Sequence, residues 1–133
     1  MRLAEELHDC PCCGNLTLTE PLSDICPICV WNDDGQVDET SAIVRGGPNQ
    51  NLSLDDARAN FRRYLVKYPP DDRRVPAEIE LIPKKKAIID EFDIVLNAKS
   101  DGEVVEALCR ARAAMSALIN LRSEVYDRSV EPW

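Results

Sequence analysis

The chain has 133 residues with 24 acidic and 16 basic side chains, a formal net charge of −8, and is 44% apolar and 30% charged. That composition excludes wholesale disorder and suits one ordinary domain with a modest core. The charge is uneven: residues 1–60 hold eleven acids against three bases, whereas residues 61–133 hold thirteen of each, which argues against a nucleic-acid-binding surface in the first half.

From the N-terminus, MRLAEELHDC contains no apolar run of signal-peptide length, and no segment approaches the roughly 20 apolar residues that cross a bilayer. The expected location is the cytoplasm, without membrane association. In that reducing compartment, closely spaced cysteines serve more often as metal ligands or catalytic thiols than as disulfides.

CPCCG at residues 10–14 and CPIC at 26–29 supply Cys10, Cys13, Cys26 and Cys29 as C-x2-C, twelve residues, then C-x2-C. Each pair lets the backbone curl so that two thiolates face one ion. Pro11 fixes φ for the first turn, and Gly14 accepts a positive φ at its end. Two such knuckles joined by a short β-hairpin give the tetrahedral four-sulfur shell that Zn2+ prefers, a zinc-ribbon-like site. An iron centre takes the same ligands, and spacing does not separate the two metals. A redox C-x-x-C pair belongs after a strand in a thioredoxin-like β-α-β unit, which a doubled motif in a short β segment fits poorly. Cys12 is expected to point away from the ion as a small packing residue; exchanging it with Cys13 would shorten the first pair to C-x-C. His8, two residues before Cys10, is expected at the surface or beside the ligands.

Between the knuckles, Leu16 and Leu18 alternate with Thr17 and Thr19 as in a half-buried strand, and EPLSD reads as the turn that returns the chain to ICPICVW. Trp31 is expected to cover the metal site or pack on the helices, a binding role being its alternative. Asp33, Asp34 and Gly35 signal a turn, and GGPNQN a loop that is mobile or pinned by contacts.

Three helices are expected to follow. The first, SLDDARANFRRYLVKY, starts at Ser53 with Asp56 completing a capping box, and places Leu54, Ala57, Phe61, Leu65 and Tyr68 on one face. PPDDRR breaks it. The second, PKKKAIIDEFDIVLNAK, aligns Ile88, Phe92, Val95 and Leu96, with Pro83 in its first turn. The third begins at a Ser100/Glu103 capping box and carries Val104, Leu108, Ala111, Met115, Leu118 and Ile119, with Cys109 expected to be buried among them. The lysines at 84–86 read as a solvated helix start balanced by Asp90, Glu91 and Asp93. No glycine-rich phosphate loop, serine-histidine-acid set or paired catalytic carboxylates are identifiable, so enzymatic activity is not expected. The expected fold is α+β: a zinc-ribbon-like module with an acidic loop over residues 1–52, and a helical region over 53–133 packed on it in one compact domain.

CPCCG, ICPICVWNDDG and LSLDDARANF, in that order over about residues 9–64, resemble the bacterial cysteine-rich CPCC family. Val30 departs from the aromatic residue more usual there. The resemblance implies a small cytoplasmic protein encoded beside a toxin or effector gene: an immunity protein that binds and neutralises the toxin, with zinc in a structural role. The acidic first half offers Trp31, Asp33, Asp34, Asp38, Glu39, Asp55 and Asp56 as a docking surface for a toxin domain with a basic face, since clustered charge speeds encounter with an opposite partner and repels nucleic acid. The other function class is a zinc-ribbon adaptor in transcription or translation machinery, binding protein rather than nucleic acid.

Overall fold

The computed structural model describes residues 7–18 and 24–129. Thr19 and most of the expected EPLSD turn lie outside the described residues. Strand β1 (His8–Asp9) pairs antiparallel with β2 (Leu16–Leu18), His8 opposite Leu18 and Asp9 opposite Leu16, with a bulge between them. The first knuckle is therefore the tip of its own small hairpin, and the second is closed separately by an antiparallel bridge between Ile25 and Asn32. The expected hairpin between the knuckles falls largely on residues 19–23, outside the described residues; among the described residues, each pairing closes across a tight cysteine turn, a short loop that fixes little chain.

After 3-10 turns at Asp38–Thr40 and Gly47–Asn49 come four helices: α1 (Leu54–Tyr64), α2 (Val75–Glu80), α3 (Ile82–Asn97) and α4 (Asp101–Ser129). The fold is α+β and mostly helical. Ser53 caps α1 as expected: its hydroxyl accepts from the Asp56 N–H at 3.0 Å, and the Asp56 carboxylate accepts from the Ser53 N–H at 3.1 Å. The helix ends sooner than its apolar spacing suggests, because Leu65 turns left-handed at φ 57°. Leu65 and Tyr68 therefore lie beyond it. The short α2, with Pro76 in its first turn, is the helix the sequence reading missed. The three-residue connection 98–100 folds α4 back along α3.

One apolar cluster unites the two halves of the chain. Leu18, Ile28 and Trp31 from the cysteine-rich segment join Leu54, Leu81, Ile88, Leu108 and Leu118 from the helical part. Three expected core residues are exposed instead: Leu96 is 79% exposed, Ile119 is 54% exposed, and Cys109 is exposed. Leu96 and Ile119 follow Val95 and Leu118, and Cys109 follows Leu108; one step around a helix is about 100°, enough to carry a side chain off the buried stripe. The reverse correction applies to the lysines. Lys84 and Lys86 are exposed, but Lys85 is fully buried, sharing the α3 face of Ile88 and Phe92. Among the described residues, no helix is long and apolar enough to cross a membrane.

Candidate metal centre

The two knuckles have the same backbone. In the first, the Gly14 N–H donates to the Cys10 carbonyl at 2.8 Å and the Cys10 N–H to the Asn15 carbonyl at 2.9 Å. In the second, Val30 donates to Cys26 and Cys26 to Trp31, both at 2.9 Å. The residue after each C-x2-C is left-handed, φ 78° at Gly14 and 69° at Val30. Glycine adopts this freely; a β-branched valine is strained there, and the surrounding contacts must hold it.

This paired geometry brings together Cys10, Cys13, Cys26 and Cys29, whose sulfurs all lie within 4.8 Å of one another. The Sγ separations across the knuckles are 3.5 Å for Cys10–Cys29 and 3.7 Å for Cys13–Cys26, and all four are free thiols. A tetrahedron with metal–sulfur arms of about 2.3 Å has edges of about 3.8 Å, so the donor set fits a four-coordinate metal ion. Cys12 is buried outside this group, and His8 is exposed on β1. Cys109 is remote in sequence and exposed.

The thiols resist ionising together. Burial holds the Cys29 thiol well above its ordinary value, and contacts with Cys10 and Cys26 do the same for Cys13. At Cys26, burial acts in the same direction, but hydrogen bonds from Cys10, Cys13, Cys29 and Thr17 outweigh it and favour the thiolate. Binding a divalent cation would supply the charge that lets all four deprotonate, and would release protons.

Thr17 is a site residue that strand alternation disguised. It is 3% exposed, and its hydroxyl donates to Cys26 Sγ at 2.9 Å. Such outer hydrogen bonds orient metal ligands.

Groups distant in sequence grip the knuckles. Arg58 Nε donates to the Pro11 carbonyl at 2.9 Å, and the Lys67 N–H donates to the Cys29 carbonyl at 2.8 Å. Arg122 Nη2 reaches the Ile28 carbonyl at 3.5 Å. Asn49, 1% exposed, pins the GGPNQN loop by bonding both ways with the Asn32 backbone, accepting at 3.0 Å and donating at 2.7 Å.

Behind the second knuckle sits a buried ionic hub. Glu78 accepts from Lys85 Nζ at 2.7 Å, from Arg122 at 2.9 and 3.0 Å, and from the Tyr126 hydroxyl at 2.5 Å. Lys85 Nζ also donates to the Leu65 carbonyl at 2.6 Å. Burial pushes the Glu78 carboxyl up, but Arg122 and Lys85 outweigh it and hold it below its ordinary value. Burial lowers Lys85 and raises Tyr126.

The expected docking residues separate into two groups. Trp31 is fully buried and Asp33 is 9% exposed, its carboxylate accepting from the Gly35 N–H at 3.3 Å. Both belong to the interior. Asp34 is half-buried and accepts from Gln36. Asp38, Glu39, Asp55 and Asp56 are exposed, and the Asp55 N–H bonds the Ser41 carbonyl at 2.9 Å, bringing the 38–40 turn beside the start of α1.

Fold and site together define a small cysteine-rich α+β protein with one four-cysteine cluster of metal-binding geometry. Residues 8–73 match the family described as cysteine-rich CPCC, a match that includes both knuckles and α1 and ends before α2. No curated protein and no solved structure matches the chain.

Proposed function

We propose that the four cysteines hold one structural Zn2+ and that the protein acts by binding another protein rather than by catalysis. The observation that carries this reading is the enclosure of the donors: Cys10, Cys26 and Cys29 are at most 1% exposed, and four sulfurs complete the tetrahedral shell. A catalytic zinc keeps a position open for water or substrate, whereas a structural zinc is closed by four protein ligands. A redox-inert ion suits that role.

The partner in this reading is a protein with a basic surface, a toxin or effector domain that the chain neutralises in the cytoplasm as an immunity protein. Asp38, Glu39, Asp55 and Asp56 form an exposed acidic rim, of which Asp38 is joined to Arg58 at 2.8 Å. Acidic charge of this kind accelerates encounter with a basic partner and disfavours phosphate backbones. Co-expression with the product of the adjacent reading frame tests the reading. Restored growth and a stable co-purified complex are expected, and reversing Asp38, Glu39 and Asp55 to lysine, leaving the α1 cap residue Asp56 in place, should slow association and weaken its salt dependence. A harmless neighbouring gene product, or no association at micromolar concentration, overturns the immunity role. Capture of a transcription or translation component instead would favour the adaptor class.

A further inference from the structure

We propose that the loop carrying Val37, Ile43 and Val44 is the docking surface, and that it receives a protein face with an apolar centre and a basic rim; the inference rests on the protein-binding reading above. Residues 33–53 join the Asn32 bridge to α1 through two 3-10 turns in place of a helix or strand. Ordering a loop of this length costs chain entropy, and such loops ordinarily serve a function. Three of its apolar side chains are nevertheless left in water: Val37 is 52% exposed, Ile43 54% and Val44 51%.

Successive turns align these residues. The Thr40 N–H donates to the Val37 carbonyl at 3.0 Å, and the Ile43 N–H to the Thr40 carbonyl at 3.0 Å. Residues three apart eclipse in turns of this kind, which puts Val37 and Ile43 on one side of the loop, with Val44 following Ile43 directly. The loop is also tied down. The Asp55 N–H donates to the Ser41 carbonyl at 2.9 Å, Arg45 Nη1 donates to the Asp34 carbonyl at 2.9 Å, and buried Asn49 bonds both ways with the Asn32 backbone. A surface already ordered loses little further entropy on binding.

Charge selects the occupant. Residues 33–58 hold six acids against two bases. Asp38, Glu39 and Asp55 are exposed around the apolar residues, whereas Arg45 is engaged by the Asp34 carbonyl and Arg58 is joined to Asp38 at 2.8 Å. An apolar centre within a polar, charged rim is the ordinary anatomy of a protein–protein interface. A second copy of this chain, docked through the same face about a two-fold axis, would set acid against acid, and a nucleic acid would bring phosphates to the same charge. A basic protein face with its own apolar centre matches both features.

The test measures binding of the full chain to the purified product of the adjacent reading frame by surface plasmon resonance. Wild type is compared with a variant combining Val37→Ser, Ile43→Ser and Val44→Ser. All three side chains are exposed, so circular dichroism and thermal melting of the variant should match wild type. Affinity is expected to fall at least about a hundred-fold, chiefly through faster dissociation, because the apolar area that binding buries is gone. A folded variant that binds as tightly as wild type overturns the docking surface and leaves the immunity reading intact. Failure of wild type to bind overturns that reading, and this inference with it. A dimer of the wild-type chain alone, seen by light scattering and abolished in the variant, overturns the basic partner in favour of a second copy. Should the variant not fold, hydrogen exchange on the wild-type complex decides: slowed exchange across residues 37–45 supports the surface, and protection confined to other segments overturns it.

Discussion

Replacing Glu78 by glutamine keeps the shape of the side chain and removes the charge around which α2, α3 and α4 are assembled. Glu78 and Lys85 are fully buried, and the carboxylate accepts four hydrogen bonds, one from Lys85, two from Arg122 and one from Tyr126. A glutamine amide has one acceptor oxygen, and its NH2 group faces donors. Removing one partner of a buried ion pair costs about 3–5 kcal/mol, since the other charge stays buried without compensation. Against the 5–15 kcal/mol typical of a whole domain, Glu78→Gln should remove roughly a fifth of the stability or more. Urea denaturation of the zinc-loaded protein should show the midpoint falling by at least about 1 M, given slopes of about 1–3 kcal/mol per M. Adding Lys85→Met should recover part of the loss, because the stranded ammonium is then gone. Since the Glu78 carboxyl is held below its ordinary value of 4.5, its contribution should be complete above about pH 4.5 and decline as pH falls below it. A loss under about 1 kcal/mol for Glu78→Gln, or strictly additive losses in the double variant, would refute the hub.

Other outcomes follow from the same packing. Trp31→Ala should destabilise the fold by about 3–5 kcal/mol, as expected for emptying a fully buried aromatic site; a thermally unchanged variant would contradict its core role. Thr17→Val should leave the helices intact by circular dichroism while weakening zinc binding about ten-fold in chelator competition, through loss of the hydroxyl on Cys26; unchanged affinity would show that this bond does not tune the site. Lys84→Ala should change stability by no more than about 0.5 kcal/mol, in contrast to Lys85→Ala, and similar urea midpoints for the two would sink the distinction between them.

The cysteine spacing and the Ser53 cap were legible because each is local: a C-x2-C turn and a capping box are determined by a few neighbouring residues. The three long helices were legible from their periodicity, though the end of α1 was not, because a left-handed Leu65 has no composition cue. Val30 is a parallel case, since a valine gives no hint of the positive φ that the second knuckle imposes. The residues that complete the site were hidden for another reason. Lys67, Glu78, Lys85 and Arg122 look like ordinary surface charges, and only tertiary packing gathers them behind Cys29. Lys85 did leave a trace, three residues before Ile88 on the same helical face, but the flanking lysines masked it. The docking residues divided similarly: Trp31 and Asp33 lie in the short stretch that turns into the core, whereas Asp38, Glu39, Asp55 and Asp56 lie on the exposed turn and helix start.

The central claim, a structural zinc held by Cys10, Cys13, Cys26 and Cys29, is tested most directly by elemental analysis of the purified full chain combined with serine substitutions. About one zinc per chain is expected, lost together with the fold in Cys10→Ser and Cys29→Ser and retained in Cys12→Ser, because a structural site contributes folding free energy directly. Absence of stoichiometric metal, iron in place of zinc, or loss of metal from Cys12→Ser with retention in Cys13→Ser would contradict it.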